Sequence, residues 1–216
     1  MSSPDSLADR ILAVPKVHEI HGPHHEFKDG GHGFKADIEE VLHDQPLFDE
    51  LVDLSAQRIL DVNPILPQVI IGIANGGNPW AVAIGKKLGG NIEVIETEKD
   101  ENKLALLTPQ SRLLLRKILP ERVVYIDDLG TTGASILPAY DQVNFKSRLV
   151  KHIPDQSVYY VTARQQRLHR LRRRKIPYVI GVDLDLRTFK NQSECETAED
   201  GLCRNNVELI RRETST

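Results

Sequence analysis

The sequence has 216 residues, of which 40% are hydrophobic and 27% are charged, with a net charge of −3. These apolar residues suffice for a sizeable core, which excludes a chain disordered throughout, and the charge shows no nucleic-acid-binding signature. The two cysteines are too few for a disulfide scaffold, the N-terminus lacks a signal-peptide pattern, and the longest apolar run is too short to span a bilayer. We therefore expect a cytoplasmic protein that contacts no membrane, with nucleic acid an improbable partner.

In chain order, the pattern predicts an amphipathic helix over 46–61, capped by Asp44, and then strands alternating with helices. The predicted strands are Val69–Ile73, Ile92–Ile95, Arg122–Ile126, Ser157–Thr162 and Tyr178–Val182, and the predicted helices are Pro79–Leu88, Gly133–Tyr140 and Arg164–Arg174. Continuous β-branched runs indicate strands buried on both faces, so the fold class is α/β with a mainly parallel five-stranded sheet. We expect an N-terminal segment over 1–66, an α/β core over 67–183 and a polar tail over 184–216.

Two adjacent aspartates, Asp127 and Asp128, follow the third predicted strand in the stretch VVYIDDLGTTGAS. In open parallel sheets, ligands bind at the carboxyl ends of the strands. The glycines after the acids allow backbone N–H groups to approach a phosphate, and hydroxyl groups and a helix N-terminus add further attraction. The candidate phosphate-binding residues are Leu129, Gly130, Thr131, Thr132, Gly133 and Ser135.

The two carboxylates need a different partner from the phosphate, which they would repel. A sugar diol, a divalent metal, or both would suit them, and a phosphorylated sugar would satisfy the whole stretch. A P-loop is excluded because Ala134 stands where its lysine is required, and a haloacid-dehalogenase-type phosphatase is excluded because Leu129 replaces its second aspartate.

An apolar run, two acids and then GTTGAS resembles the phosphoribosyl-pyrophosphate (PRPP) signature of type I phosphoribosyltransferases, most like the orotate enzymes. The resemblance implies a Rossmann-like α/β fold with an N-terminal hood, and a homodimer. It implies that Asp127 and Asp128 hold the ribose hydroxyls, and Mg²⁺ indirectly through PRPP, while residues 129–133 hold the 5′-phosphate. It also implies that Ala74, Asn75, Gly76 and Gly77 form the pyrophosphate-binding loop.

The same resemblance assigns a mobile lid to the segment ETEKDENKLALLTPQS, where Lys99 and Lys103 would stabilise the departing pyrophosphate. Arg164 follows the fourth predicted strand and matches an arginine that pairs with the carboxylate of the base. Lys28 matches a lysine of the hood.

The expected function is Mg²⁺-dependent transfer of the phosphoribosyl group from PRPP to a nitrogen base, orotate or a similar pyrimidine. Two alternatives stay open: a regulator that binds PRPP or a nucleotide without turnover, and binds RNA, or a transferase for a purine or another base.

Two further features are weaker signals. The arginine-rich segment 164–175 predicts a solvated helix face, with Leu168 and Leu171 toward the sheet, and contact with RNA is the alternative. Cys195 and Cys203 lie eight residues apart rather than in a CxxC pair. This spacing favours free thiols in a polar tail over a zinc site shared with a histidine.

Overall fold

The computed structural model describes residues 6–17, 24–26, 32–34, 36–149, 153–164, 168–186, 188–199, 201–205 and 208–210. The helices are α1 (Leu7–Ala13), α2 (Gln45–Val62), α3 (Gly77–Leu88), α4 (Pro109–Ile118), α5 (Leu137–Leu149), α6 (His169–Arg173) and α7 (Gln192–Thr197), with a 3-10 helix at Ile38–His43. The strands are β1 (His24–Glu26), β2 (His32–Phe34), β3 (Val69–Gly72), β4 (Glu93–Lys99), β5 (Ala105–Leu107), β6 (Arg122–Gly130), β7 (Asp155–Ala163), β8 (Tyr178–Asp183), β9 (Thr188–Phe189) and β10 (Leu209–Ile210). No helix among these described residues is long and apolar enough to cross a membrane.

The main sheet has six strands in the order β5-β4-β3-β6-β7-β8. The five predicted strands are all present and pair in parallel with their neighbours, which confirms the predicted α/β fold. The sixth strand, β5, was not predicted, and it pairs antiparallel with β4 at the sheet edge. It forms because Ala105 and Leu107 turn inward and are buried.

Alternate residues of the central strands supply two separate cores, one on each face of the main sheet. Ile70 and Val124 pack with Trp80 of α3 on one face, whereas Ile71 and Tyr125 belong to the cluster on the other. Burying such a side chain contributes about 1.5–3 kcal/mol. The two-sided burial explains why these strands read as continuous apolar runs, and it fixes the strand ends that carry the site.

Helix α2 follows the sequence-based prediction within one residue at each end. The carboxylate of Asp44 accepts a hydrogen bond from the backbone N–H of Leu47 at 3.2 Å, which is the predicted cap. Leu47, Leu51 and Ile59 lie on one face and are buried in the core against β8 and α3.

A small second sheet has the strand order β10-β1-β2-β9. Its strands come from both ends of the chain, because His24 pairs with Leu209 and Gly33 pairs with Thr188. The N-terminal segment and the C-terminal tail were predicted as separate units, whereas described residues of both belong to this sheet. The predicted boundaries after residues 66 and 183 stay predictions.

Several predicted element ends are wrong: α5 ends at Leu149 rather than Tyr140, and β4 ends at Lys99 rather than Ile95. β6 does not end at Ile126 but continues through the acid pair to Gly130, because Asp127 and Gly130 pair with Tyr160 and Ala163 of β7. Helix α5 begins at Leu137 rather than Gly133, since Gly133 has φ of +81°, which is incompatible with a right-handed helix. The helix predicted over Arg164–Arg174 is shorter in the structure, where α6 covers the five residues His169–Arg173.

Candidate functional site

Two glycine-containing loops meet at the carboxyl ends of neighbouring strands. The β3 loop (residues 73–76) follows β3, and the β6 loop (residues 131–136) follows β6, with which β3 pairs in parallel. A Cβ atom on Gly76 would lie 2.3 Å from Oδ2 of Asp128, and one on Gly77 would lie 2.3 Å from the carbonyl oxygen of Ile126. The absence of a side chain at both positions therefore allows the β3 loop to lie directly against the acid pair, Asp127 and Asp128.

Asp127 is only 6% exposed and has two hydrogen-bond donors. The hydroxyl of Ser135 donates to Oδ2 at 2.6 Å, and the backbone N–H of Asp128 donates to Oδ1 at 3.2 Å. Ser135 was predicted as a phosphate-binding hydroxyl, but in this structure its single proton points to Asp127. The side chain therefore orients the carboxylate.

Asp128 is held by its own stretch of backbone and by the neighbouring strand. Its Oδ1 accepts the backbone N–H of Leu129 at 2.8 Å, and its carbonyl oxygen accepts the hydroxyl of Thr162 at 2.8 Å. The second oxygen, Oδ2, faces Gly76. The carboxylate is thus fixed toward the space between the two loops.

The acid pair is costly to ionise in full. Burial, and then the charge of Asp128, raise the pKa of Asp127 well above its usual value. Burial also raises the pKa of Asp128, and the carboxylate of Asp37 adds to that rise. A site that desolvates two neighbouring carboxyls favours ligands that relieve the repulsion, namely hydroxyl donors or a cation.

Asp37 was not identified from the sequence. It is half-buried, it precedes the 3-10 helix Ile38–His43, and its backbone N–H donates to the carbonyl oxygen of Val17 at 2.9 Å. Asp37 and Asp128 are about 90 positions apart in the sequence, and only the fold brings them close together. No local pattern could have revealed it, because isolated aspartates before short helices are common caps.

The β6 loop takes its shape from the segment that follows β7. The backbone N–H groups of Arg164 and Arg170 donate to the carbonyls of Gly130 and Thr132 at 3.0 and 3.1 Å. A Cβ atom on Gly133 would lie 2.5 Å from Cγ of Leu171. With its carbonyls engaged from behind, a loop of this kind is arranged to present N–H groups and the half-buried Thr131 and Thr132 to an anion.

Thr97 of β4 fixes the β3 loop, and no local pattern marks it as a site residue. Its hydroxyl accepts the backbone N–H of Ala74 at 2.8 Å and donates to the carbonyl of Gly72 at 2.9 Å. Its carbonyl oxygen accepts the side-chain amide of Asn78 at 3.1 Å. The side chain is 1% exposed, and the Ala74–Asn75 peptide bond that it supports is cis. Asn75 itself is exposed at the tip of the loop.

The predicted lid has a regular structure. The segment is a hairpin of β4 and β5 followed by α4, with a turn in which Asp100 donates its N–H to the carbonyl of Leu104 at 3.0 Å. Lys99 ends β4 and Lys103 lies in the turn, and both are exposed. Within the described part of the chain, neither lysine is hydrogen-bonded to the acid pair. The segment is therefore a hairpin followed by a helix, and its role as a mobile lid stays a prediction.

Arg164 joins the main sheet to the small sheet. It is 5% exposed, it follows β7, and its guanidinium donates a hydrogen bond to the carbonyl oxygen of Phe34 in β2. Burial lowers its pKa to about 10, so it stays charged at neutral pH. It is thus a buried cation between the acid-pair end of the sheet and the hood. Lys28, the other predicted contact to the base, lies outside the described residues.

The prediction for the arginine-rich segment is confirmed over residues 168–175, whereas Arg164 at its start is buried. Leu168 and Leu171 are fully buried toward the sheet, while residues 169, 170 and 172–175 are exposed. Arg174 forms an ion pair with Asp141 of α5. This segment therefore packs against the core and supports the β6 loop.

A parallel α/β sheet whose strand ends bring an acid pair and two glycine loops together defines a protein class that binds phosphorylated ligands. Residues 37–147, about half of the chain, match the family described as phosphoribosyl transferase domain, and the chain belongs to that family. The match spans the acid pair, both loops and Asp37. The resemblance stated from the sequence is therefore confirmed.

Relatives within this family point to the orotate enzymes. The chain is 28% identical over 116 residues to orotate phosphoribosyltransferase of Sulfolobus acidocaldarius, which is 54% of each protein. The chain thus spans about half the length of the curated relatives it matches. The fold is similar to orotate phosphoribosyltransferase from Aeropyrum pernix (TM-score 0.59, 20% identity, 83% of this chain and 95% of that one). It is also similar to the Mycobacterium tuberculosis enzyme in complex with PRPP (TM-score 0.55, 18% identity, 84% and 98%).

Proposed function

We propose that the chain transfers the phosphoribosyl group of PRPP to a nitrogen base, orotate or a similar pyrimidine. The observation that carries this proposal is the contact between the two loops, where Gly76 abuts the carboxylate of Asp128. A sugar that carries a phosphate at one end and a pyrophosphate at the other would bridge the β6 loop and the β3 loop. Its hydroxyls would then face the acid pair.

Each part of this arrangement has a separate task. Thr131, Thr132 and the backbone around Gly133 bind the 5′-phosphate, and Asn75, Gly76 and Gly77 bind the pyrophosphate. Asp127 and Asp128 accept hydrogen bonds from the ribose hydroxyls, which relieves the repulsion in the buried pair. As pyrophosphate leaves C1′, positive charge develops on the sugar, and the neighbouring carboxylates stabilise it. Positioning and charge complementarity suffice, without a covalent nucleophile.

The donor atoms fit a magnesium ion delivered with PRPP. Asp127 and Asp128, with Asp37 nearby, offer carboxylate oxygens, which Mg²⁺ prefers, and an ion that retains part of its water shell would need only a few of them. A bound ion would offset the negative charge of the pyrophosphate. The residues of the chain orient those oxygens and exclude water.

The choice of base rests on Arg164 and on the names of the relatives. A guanidinium forms bidentate pairs with carboxylates, and orotate carries a carboxylate where most nucleobases have none. Arg164 is a buried cation at the correct end of the sheet. Lys28 is proposed to assist it from the hood, and Lys99 and Lys103 to approach the departing pyrophosphate when PRPP binds. We also propose a cytoplasmic homodimer.

A second candidate is a regulator that binds PRPP without turnover. The observation in its favour is that Lys99 and Lys103 are both exposed in the hairpin of β4 and β5. A transferase for a purine or another base is the third candidate.

Incubating the chain with Mg²⁺, PRPP and a panel of orotate, uracil, adenine and hypoxanthine, and following pyrophosphate release, separates these candidates. Release with orotate alone is expected. Release with another base would show that the base assignment is wrong. If no base reacts but PRPP raises the melting temperature, the regulator hypothesis is correct. If PRPP neither reacts nor changes the melting temperature, all three candidates are excluded.

A further inference from the structure

Three metal-ligating side chains meet outside the candidate site. Nε2 of His24 lies 3.3 Å from Sγ of Cys203 and 4.0 Å from Sγ of Cys195. The ligand atoms of all three residues lie within 4.8 Å of one another. His24 and Cys195 are fully buried and Cys203 is half-buried. The two thiols are not joined in a disulfide, as expected, but Cys195 is buried beside a histidine rather than exposed in a polar tail.

The three residues come from segments far apart in the sequence. His24 begins β1 in the small sheet, Cys195 lies in α7, and Cys203 lies in the turn that follows α7. The chain folds back tightly between the cysteines, since a Cβ atom on Gly201 would lie 1.9 Å from the carbonyl oxygen of Cys195. The spacing of the cysteines alone could not reveal the cluster, because its third member is about 170 residues away.

The spacing of these ligand atoms suits a metal ion. Zinc lies about 2.3 Å from a thiolate and about 2.0–2.1 Å from an imidazole nitrogen, so tetrahedral coordination places sulfur and nitrogen roughly 3.5–3.6 Å apart. The two observed separations, 3.3 and 4.0 Å, bracket that value. Two sulfurs and one imidazole are soft and borderline donors, which select Zn²⁺ over Mg²⁺ or Ca²⁺.

The surroundings of the sulfurs agree with ligation. The backbone N–H of Cys203 donates to Sγ of Cys195 at 3.2 Å, so this sulfur already acts as a hydrogen-bond acceptor, as a thiolate ligand does. Residues 201–205 form a turn held by hydrogen bonds from Arg204 to Cys195 and from Asn205 to Gly201. A short turn that presents a thiol toward a second thiol is a common way to build a zinc site.

We propose that His24, Cys195 and Cys203 bind one Zn²⁺ ion, which fastens the C-terminal segment to β1. Water completes the coordination as the fourth ligand. β1 pairs with β2, whose Phe34 carbonyl accepts the hydrogen bond from Arg164. The ion therefore stabilises the small sheet against which the proposed base-binding arginine is held. The zinc site itself does not depend on the proposed transferase activity.

A disulfide between Cys195 and Cys203 is the main rival, and the two thiols are not joined in this structure. The test is metal analysis of the full chain purified without chelator from zinc-supplemented medium. About one zinc ion per chain is expected for the wild type, and less than about a tenth of that for Cys195→Ser, Cys203→Ser and His24→Asn. His25→Asn is the matched control, because alternate residues of a strand face opposite sides, and it keeps its zinc.

A second measurement covers the case in which a cysteine variant does not fold. Cobalt added to the zinc-depleted wild type should produce thiolate-to-cobalt charge-transfer absorption, and stoichiometric zinc should abolish it. Zinc should also raise the melting temperature of the wild type but not of the Cys203→Ser variant. Because Cys203 is only half-buried, this variant is expected to fold. A wild type without zinc, zinc that survives removal of both thiols, or thiols blocked in a disulfide under native conditions would each overturn the proposal.

Discussion

A Cβ atom on Gly76 would lie 2.3 Å from Oδ2 of Asp128, so only the absence of a side chain at this position lets the β3 loop lie against the acid pair. Gly76 has φ of −59° and ψ of −37°, which alanine adopts without strain. Any defect of an alanine at this position must therefore come from the contact itself. This separates a steric effect on the site from a backbone effect on folding.

Gly76→Ala should weaken PRPP binding at least about tenfold, since either the β3 loop or the Asp128 carboxylate must move by more than 0.5 Å. The substitution should also lower the free energy of unfolding by about 1–3 kcal/mol, as overpacking does. Calorimetric titration with PRPP and thermal melts measure the two effects. In the double variant Gly76→Ala/Asp128→Ala the stability loss should largely disappear, and a purely additive loss would contradict the contact.

Asp127→Asn and Asp128→Asn should each lower kcat/KM at least about 100-fold, because the transition-state charge on the ribose loses its counterpart. The free energy of unfolding should stay the same or rise, since each substitution removes a desolvated charge from a repelling pair. Pyrophosphate release and urea melts check both statements. Activity that survives either substitution would remove the acid pair from the proposed mechanism.

The raised pKa of Asp127 predicts the pH dependence of stability in the absence of ligand. In the unfolded chain this carboxyl titrates near 3.9, whereas burial and Asp128 place the folded pKa higher. Between the two values the folded state binds more protons, so its stability falls as pH rises through that window. Melting temperatures of the wild type should show this fall from about pH 4 upward, and Asp127→Asn should show less of it. Identical pH profiles would contradict the assignment.

The five parallel strands and the acid pair were accessible from the sequence because both are local patterns. Continuous β-branched runs such as Val69–Gly72 mark strands buried on both faces, and the two aspartates beside glycines mark a strand end that binds a ligand. The contacts of Ser135 with Asp127 and of Thr97 with Ala74 depend on side-chain direction, and the sequence does not encode that locally.

Asp37 and the His24 cluster depend on packing between segments that are 90 or more positions apart. The helix after β6 was predicted too early because Gly133 reads as a helix-start residue, although its positive φ extends the loop. The hairpin in the predicted lid segment forms because Ala105 and Leu107 are buried at the sheet edge beside β4. The charged residues around them do not indicate a strand.

Thr97→Val should impair PRPP binding, although Thr97 contacts the β3 loop and not the ligand. The substitution keeps the shape of the side chain but leaves the Ala74 N–H and the Gly72 carbonyl without their partner. Leaving buried polar groups unsatisfied costs about 1–3 kcal/mol each, so thermal stability falls and the β3 loop loses its fixed shape. The KM for PRPP should rise about tenfold or more while the KM for the base changes little. Thr97→Ser preserves the hydroxyl and should restore the PRPP KM, and failure of that rescue would assign the effect to packing alone.

Arg164→Met should act on the base and not on PRPP. Methionine retains the apolar stem in the buried position but removes the charge, which is present at neutral pH because burial lowers the pKa only to about 10. If the guanidinium pairs with a carboxylate of the base, the KM for orotate should rise about 10–100-fold, as expected for the loss of a charge-assisted pair. The KM for PRPP and the rate with a base that lacks a carboxylate, such as uracil, should change far less. Steady-state kinetics with orotate and uracil measure this selectivity. Equal losses with both bases would show that Arg164 only holds Phe34 and the small sheet in place.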